Sequence, residues 1–252
     1  MQDIFAEDTG NGTPLVLVHG FLGSSEMWSP QINFFKDNFR VIAPALPGFG
    51  KSSTIKPCNT IECMAKSILN FLDKEGIENF YLLGHSMGGM VVQEMVKIAA
   101  EKILKLVCYG TGPRGNIPGR FETIDQSRKQ LKINGLKDTA HRIAKTWFIE
   151  EEKAKYFYLC EEAGKQTSAE AADKGLVAMK KWNGIKNLKN IKNETLIVWG
   201  DQDRAYNLSQ VETLNKNIPN SNLRVIKNCS HNVHLENPDE FNIIVEEFLK
   251  RK

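Results

Sequence analysis

The stretch of residues 79–96 constrains the fold of this chain more than any other. Residues 80–83 form a short apolar run typical of a buried strand, the pattern Gly-His-Ser-Met-Gly follows at residues 84–88, and residues 90–96 have helical character. A sharp turn between a strand and a helix strains its central residue, and the two glycines leave room for the turn because they carry no Cβ. The sequence therefore predicts that Ser86 projects its hydroxyl clear of a sheet, in front of a helix whose first N–H groups favour an anion.

An earlier apolar strand leads into a second loop with free N–H groups. Residues 14–18 have the composition of a buried parallel strand, and His-Gly-Phe-Leu-Gly follows them. Parallel strands deliver their loops to one edge of a sheet, so this loop should lie beside Ser86. We predict that the backbone N–H groups of Phe21 and Met87 form an oxyanion hole. His19 is interpreted as a hydrogen-bonded structural histidine.

Two later strands end in loops that hold a candidate acid and a candidate base. Their sequences are Gly-Asp-Gln-Asp and Cys-Ser-His-Asn-Val-His. A serine needs an adjacent base to become a strong nucleophile, and that base needs a partner that fixes its tautomer. Asp203 is preferred to Asp201 as the acid, because the chain has turned back toward the site three residues after the strand-ending glycine. His231 is preferred to His234 as the base, because it comes directly off the last strand.

Strands alternate with helical patterns along most of the chain. Apolar runs of strand type occur at residues 14–18, 40–44, 80–83, 104–109, 195–199 and 223–226, with a candidate edge strand at 4–7. This alternation predicts an α/β fold with a doubly wound, mostly parallel sheet. Since the strand ends share one edge, Ser86, Asp203 and His231 are expected to be neighbours.

Residues 112–192 have a different character. Strand signals are absent there, and helical patterns occur at 121–131, 136–149, 151–163 and 169–182. A segment of about 80 residues is too long for a loop. We therefore predict an inserted helical cap at 112–192, between two parts of the α/β core at 1–111 and 193–252. Most of the cap's aromatic side chains should form its own core, and His141 is interpreted as a surface residue.

The composition excludes several classes of protein. The net charge is only +3 over 252 residues and the basic residues are dispersed, which argues against a nucleic-acid partner. No apolar run approaches the length of a membrane span, and the first ten residues do not resemble a signal peptide. The cysteines are odd in number and lack Cys-x-x-Cys spacing, which predicts neither a disulfide framework nor a zinc site and favours a reducing cytoplasm. They are Cys58, Cys63, Cys108, Cys160 and Cys229.

Taken together, these motifs resemble the α/β-hydrolase superfamily over nearly the whole chain. They are His-Gly-Phe at 19–21, Pro-Gly-Phe-Gly-Lys-Ser at 47–52, Gly-His-Ser-Met-Gly-Gly at 84–89, Trp-Gly-Asp-Gln-Asp at 199–203 and the run from Ser-His-Asn to Asp-Glu-Phe at 230–241. The resemblance implies that Ser86 is the nucleophile, Asp203 the acid and His231 the base, with the inserted helices as a cap over the pocket. Ser230 stands where the family usually has glycine, and we expect little effect.

The resemblance also implies an activity and its setting. We expect a cytoplasmic hydrolase, a monomer or homodimer, that cleaves a small carboxylic ester or lactone without a metal or cofactor. Residues 120–148 resemble the opening of the cap in 3-oxoadipate enol-lactonases and related carboxylesterases. In that branch Phe121 and Trp147 would line the pocket, and Arg114, Arg120 or Arg128 would bind a substrate carboxylate, with Arg120 retained as the candidate.

Two other functions stay open at this point. The same triad serves carbon–carbon bond hydrolases and cofactor-free haloperoxidases, which share the fold. A ligand receptor that keeps the triad but hardly turns over is a further alternative, from a different class.

Overall fold

The computed structural model describes residues 3–251, so residues 1, 2 and 252 of the predicted core segments lie outside the described part. Within it the chain forms seven strands, and helices separate each strand from the next after β2. The strands are β1 (Ala6–Thr9), β2 (Pro14–Val18), β3 (Arg40–Pro44), β4 (Phe80–His85), β5 (Ile103–Tyr109), β6 (Thr195–Gly200) and β7 (Ser221–Ile226). The α-helices are α1 (Ser29–Phe35), α2 (Ile61–Lys74), α3 (Met87–Ala99), α4 (Ile124–Lys145), α5 (Phe157–Gln166), α6 (Ala169–Lys181), α7 (Leu208–Asn217), α8 (Val233–Glu236) and α9 (Pro238–Lys250). Short 3-10 helices lie at Ser25–Trp28, Gly50–Ser52, Ala100–Lys102, Glu151–Lys153 and Ile185–Asn190.

The strands form one sheet in the order β1-β3-β2-β4-β5-β6-β7. Only the pairing of β1 with β3 is antiparallel, and each later neighbour pair is parallel. The strand order reverses between β2 and β4, and ligands bind at such a reversal in open α/β sheets. The predicted α/β fold with a doubly wound, mostly parallel sheet and inserted helices is confirmed.

The central strands are buried on both faces, which explains their continuous apolar composition. In β2, Leu15 and Leu17 pack with the layer that includes α1 and α9, whereas Val16 and Val18 pack with the layer that includes α2 and α3. All four are fully buried. The sheet is thus the rigid middle layer on which every loop at its carboxyl edge is mounted.

Several strands and helices begin or end at different residues from those predicted. The edge strand lies at Ala6–Thr9 instead of 4–7. Two predicted cap helices are continuous in α4 apart from a kink at Gly135, where φ is +77° and ψ is 178°. The helix expected at 151–163 starts later, at Phe157, and runs to Gln166.

The prediction from the cysteines needs a correction. Cys58 and Cys63 are joined in a disulfide across five residues of sequence, with their Cα atoms 5.6 Å apart. Sequence spacing did not reveal it, because the pair closes a local loop at the start of α2 and belongs to no multi-cysteine framework. The other three cysteines are free and buried.

The helices α4, α5 and α6 lie between β5 and β6 in the sequence. Their boundaries as a separate cap, residues 112–192, stay a prediction. None of the helices in residues 3–251 combines the length and the apolar composition needed to cross a membrane.

Candidate active site

Ser86 lies at the turn between β4 and α3 in a strained backbone conformation. Its φ is +57° and its ψ is −117°, a region that L-residues rarely adopt. The turn fits because Gly88 has no Cβ: one placed there would overlap the carbonyl groups of Val18 and His19. The Ser86 N–H donates to the Tyr109 carbonyl at 2.9 Å, which ties the turn to the neighbouring strand. The predicted strand–turn–helix geometry around Ser86 is therefore present.

The two predicted oxyanion donors flank this serine. The loop after β2 lies against it, since a Cβ added to Gly20 would be 3.0 Å from the Ser86 Cβ. No backbone hydrogen bond is made by the Phe21 N–H among the described residues. Met87 is the first residue of α3, and the N–H groups of a first helical turn have no partner within the helix. Two unpaired N–H groups thus accompany Ser86, although their role stays a prediction.

Asp203 and His231 form a buried pair. His231 Nδ1 donates to Asp203 Oδ2 at 2.9 Å, and both side chains are almost fully buried. The other carboxylate oxygen of Asp203 accepts the N–H groups of Ala205 at 2.7 Å and Tyr206 at 3.0 Å. With three donors the carboxylate is fixed in place, and the bond to Nδ1 leaves the Nε2 of His231 as the acceptor.

The loop that carries His231 is held from two sides. The Tyr109 hydroxyl donates to the His231 carbonyl at 2.9 Å, from a strand two places away in the sheet. The next N–H, that of Asn232, donates to the Trp147 carbonyl at 3.0 Å. The backbone of the His231 loop is therefore hydrogen-bonded both to the sheet and to the inserted segment.

A narrow cavity of about 20 Å³ lies over Ser86. Both Ser86 and His231 line it, although Ser86 is only 8% exposed. The lining residues are Phe21, Ser86, Gly115, Ile117, Arg120, Ile124, Ile143, Trp147, Met179, Ala205, Tyr206 and His231. The walls are mainly apolar and come largely from residues 112–192, so this segment shapes the space in front of the serine.

Ser86 and His231 are not hydrogen-bonded to each other in the described part of the chain. Burial raises the pKa of the Tyr206 phenol, against the smaller opposing effects of the Arg120 charge and of the Ser86 and Thr111 side chains. The Tyr206 ring is stacked on His231, with centroids 5.7 Å apart and planes at 17°. Contacts between nucleophile and base are often long before substrate binds, so this arrangement is compatible with proton transfer.

The remaining histidines near the edge are structural. His19 donates from Nδ1 to the Gly20 carbonyl at 2.8 Å, and its Nε2 accepts the Leu46 N–H at 3.0 Å. Burial lowers the pKa of His19 to about 4 and that of His234 to about 3. His85 is buried as well, and burial holds its pKa well below the ordinary value. Among these rings only His231 has a carboxylate partner.

The predicted pocket residues had different outcomes. Trp147 and Arg120 line the cavity, and Phe121 is not among the lining residues. The Phe121 ring instead supports the Arg120 guanidinium from below, with the Arg120 Cζ 4.8 Å from its centroid. Arg128 is engaged in a two-point ion pair with Asp173, at 2.8 and 3.0 Å. Arg114 does not line the cavity.

Tyr206 is the functional candidate that the sequence analysis missed. It follows Asp203 by three residues, so the chain position alone placed it in an interesting loop. Its carbonyl accepts the Trp199 indole N–H at 2.8 Å, which turns the side chain into the cavity region. Within residues 3–251, no three His, Cys, Asp or Glu side chains are grouped as a metal site.

Comparisons with known proteins agree with this geometry. A family model described as the alpha/beta hydrolase fold matches residues 13–238. The 2-hydroxy-6-oxononadienedioate/2-hydroxy-6-oxononatrienedioate hydrolase of Comamonas testosteroni is 27% identical, over 98% of this chain and 91% of its own length. The pimeloyl-[acyl-carrier protein] methyl ester esterase of Legionella pneumophila (strain Corby) is 26% identical, over 99% of this chain and all of its own.

A solved structure shows the same fold at lower sequence identity. The enol-lactonase from Burkholderia xenovorans LB400 superimposes with a TM-score of 0.90, at 22% identity, over 98% of this chain and 96% of its own. The family model spans most of the sequence, including the strands that carry Ser86, Asp203 and His231. The chain belongs to the α/β-hydrolase fold family.

Proposed function

We propose that this protein is a serine hydrolase that cleaves a small carboxylic ester or lactone through an acyl-enzyme. The observation that carries the proposal is the placement of Ser86 and His231 on one cavity, with His231 held by the buried carboxylate of Asp203. Seven-stranded sheets of this kind serve many functions, so the site and not the fold supports this assignment.

Each residue has a defined role in the proposed reaction. His231 Nε2 takes the proton of Ser86 as Oγ attacks the substrate carbonyl, and Asp203 stabilises the imidazolium that forms. The tetrahedral oxyanion accepts hydrogen bonds from the N–H groups of Phe21 and Met87. His231 then protonates the departing alcohol. In the second half, His231 deprotonates a water, which attacks the acyl group and releases Ser86.

The named relatives support a hydrolase, and their names point to two kinds of bond that it could cleave, an ester bond or a carbon–carbon bond. One named relative is a methyl ester esterase, which agrees with the ester proposal. The relative from Comamonas testosteroni is named as a hydrolase of a 2-hydroxy-6-oxo-dienedioate, and it favours cleavage of a carbon–carbon bond next to a ketone as the second candidate. Both reactions begin with the same serine and histidine.

The direct test replaces the nucleophile. Ser86→Ala should lower kcat for 4-nitrophenyl acetate by up to about 10⁶-fold, because the attacking oxygen is lost. Ser67→Ala, a change of the same size on α2 at a residue that does not line the cavity, is the matched control and should keep wild-type activity. Equal rates for Ser86→Ala and wild type would contradict the proposal.

A substrate panel separates the ester proposal from its alternatives. The protein would be assayed on matched esters, lactones and vinylogous diketones, and the ester proposal requires the highest kcat/KM on an ester or lactone. Faster cleavage of the diketone would favour the carbon–carbon hydrolase. Labelling of Ser86 by a fluorophosphonate, with negligible turnover of every substrate, would favour a ligand receptor.

A further inference from the structure

The side chain of Glu236 lies between the His231 loop and the inserted segment. Its Oε2 accepts a hydrogen bond from the backbone N–H of Ser230 at 2.5 Å, and its Oε1 accepts one from the backbone N–H of Ile149 at 2.6 Å. Ser230 directly precedes His231, and Ile149 lies shortly after the end of α4. A single carboxylate therefore bridges the loop of the proposed base and the segment that shapes the cavity.

Both sequence neighbours of His231 are connected to the same short stretch of the inserted segment. On one side, the Ser230 N–H is linked to it through Glu236. On the other side, the Asn232 N–H donates directly to the Trp147 carbonyl at 3.0 Å. Trp147 also lines the cavity over the nucleophile. The backbone position of His231 is thus tied, before and after the residue, to a wall of the cavity.

A carboxylate is the side-chain group best suited to this bridge. Two N–H donors that approach from different parts of the chain need two acceptor oxygens, and an ionised carboxylate supplies both. A glutamine has one oxygen, and its NH₂ group would face the second donor. Burial raises the pKa of Glu236, and the hydrogen bonds from Ile149 and Ser230 oppose that effect. The fold thus keeps an acid at a half-buried position where ionisation is costly, which favours a specific role for its two oxygens.

The charge of Glu236 also acts on the proposed base. Attraction between this carboxylate and a positively charged His231 lowers the pKa of Glu236, against the larger effect of burial. The same attraction stabilises the charge that His231 gains when it takes up a proton. Asp203 contacts the ring directly, whereas Glu236 acts from the backbone side of the loop. The charge of Arg204 also reaches Glu236, but Arg204 forms its own ion pair with Glu151, at 3.7 Å.

We propose that Glu236 is a positioning residue for His231. By bridging the N–H groups of Ser230 and Ile149, its carboxylate fixes the His231 loop in the position needed for proton transfer from Ser86. This inference rests on the proposed hydrolase function and adds a residue outside the triad. The lining of the cavity does not include Glu236, so its loss should lower kcat and leave KM nearly unchanged.

Two substitutions of Glu236, assayed on 4-nitrophenyl acetate, separate its geometry from its charge. Glu236→Gln and the shorter Glu236→Asp both break the bridge, and each should lower kcat by about 10- to 100-fold with KM within about 2-fold of wild type. Only Glu236→Gln removes the charge, so it alone should move the acid limb of the kcat/KM profile to lower pH, by about 0.5. Glu247→Gln, the same change at an exposed residue of α9, is the control and should leave kcat and the profile unchanged.

Amide hydrogen exchange tests the bridge without any turnover. In Glu236→Gln the Ser230 and Ile149 N–H groups should exchange at least about 10-fold faster than in wild type, relative to the amides of β4, and Glu247→Gln should change neither. Unchanged exchange in Glu236→Gln would overturn the bridge. Faster exchange with wild-type kcat would overturn the positioning role, while Ser86-dependent ester cleavage would stand. Faster exchange in a protein whose ester cleavage does not depend on Ser86 would refute the hydrolase and keep the bridge.

Discussion

The carboxyl edge of the sheet and the inserted segment above it meet in one cavity but are built differently. At the edge, the carboxylate and the structural histidine are held by several hydrogen bonds: Asp203 accepts from one ring nitrogen and two backbone N–H groups, and His19 is hydrogen-bonded at both nitrogens. The inserted segment contributes mainly apolar walls, such as Ile143 and Met179, together with Arg120, which has no ion-pair partner in the described chain.

The difference assigns separate tasks to the two regions. Groups that move protons must be held in one geometry, and the hydrogen bonds to Asp203 and to the His231 loop provide that. A binding site instead needs donors that are left unsatisfied until the ligand arrives. We therefore expect substitutions at the edge to act on rate, and substitutions in the inserted segment to act on selectivity.

Apart from the loss of the nucleophile itself, the largest effect should follow from Asp203→Asn at the edge. The amide no longer fixes the tautomer of His231 or stabilises its positive charge, so kcat for a neutral ester should fall by about 10⁴-fold. The measurement is steady-state hydrolysis of 4-nitrophenyl acetate. Asp201→Asn, in the same loop but facing the Asn228 N–H, is the control and should keep most of the activity. If both variants had equal activity, Asp203 would have no special role.

The edge was also the region that the sequence predicted best. The strand-ending motifs around Ser86, Asp203 and His231 are local, and the parallel sheet brings their loops to one edge without further information. The lining of the cavity was harder, because it depends on how the inserted helices pack. Phe121 was expected in the pocket but packs against the Arg120 guanidinium instead. No sequence motif pointed to Tyr206. The spacing of Cys58 and Cys63 matched no known pattern, so their disulfide was not predicted.

A second prediction concerns an edge histidine with no chemical role. The pKa of His19 falls from 6.5 in the unfolded chain to about 4 in the fold, because burial disfavours the charged ring. Between pH 6.5 and about 4, the His19 ring therefore binds a proton in the unfolded state but not in the folded state. The free energy of unfolding falls as the pH drops through this range. The contribution of His19 to this loss is about 3 kcal/mol.

Urea unfolding between neutral and acidic pH measures the total loss, and NMR of the His19 ring assigns its share. The ring should show no titration above about pH 5. A titration midpoint near the ordinary histidine value would mean that the ring is exposed to solvent, and the burial of His19 would be contradicted.

The smallest effect compares two arginines of the inserted segment. Arg128→Met breaks a two-point pair with Asp173 whose members are 30% and 34% exposed, and should lower the free energy of unfolding by up to about 1 kcal/mol. Arg120→Met removes a cation without an ion-pair partner and should change the free energy of unfolding by less than about 0.5 kcal/mol. Urea unfolding of both variants at neutral pH checks this. A larger loss for Arg120→Met would identify a structural residue and weaken its assignment to substrate binding.

The central claim, that Ser86 carries the acyl group, can be tested on the protein itself. The enzyme would be mixed with 4-nitrophenyl acetate, quenched in acid during turnover and digested, and the peptide that contains Ser86 would be measured by mass spectrometry. We predict a peptide heavier by one acetyl group, with the modification on Ser86 and absent from the Ser86→Ala protein. Continued ester cleavage with an unmodified Ser86 peptide, or with the acetyl group on another residue, would contradict the account.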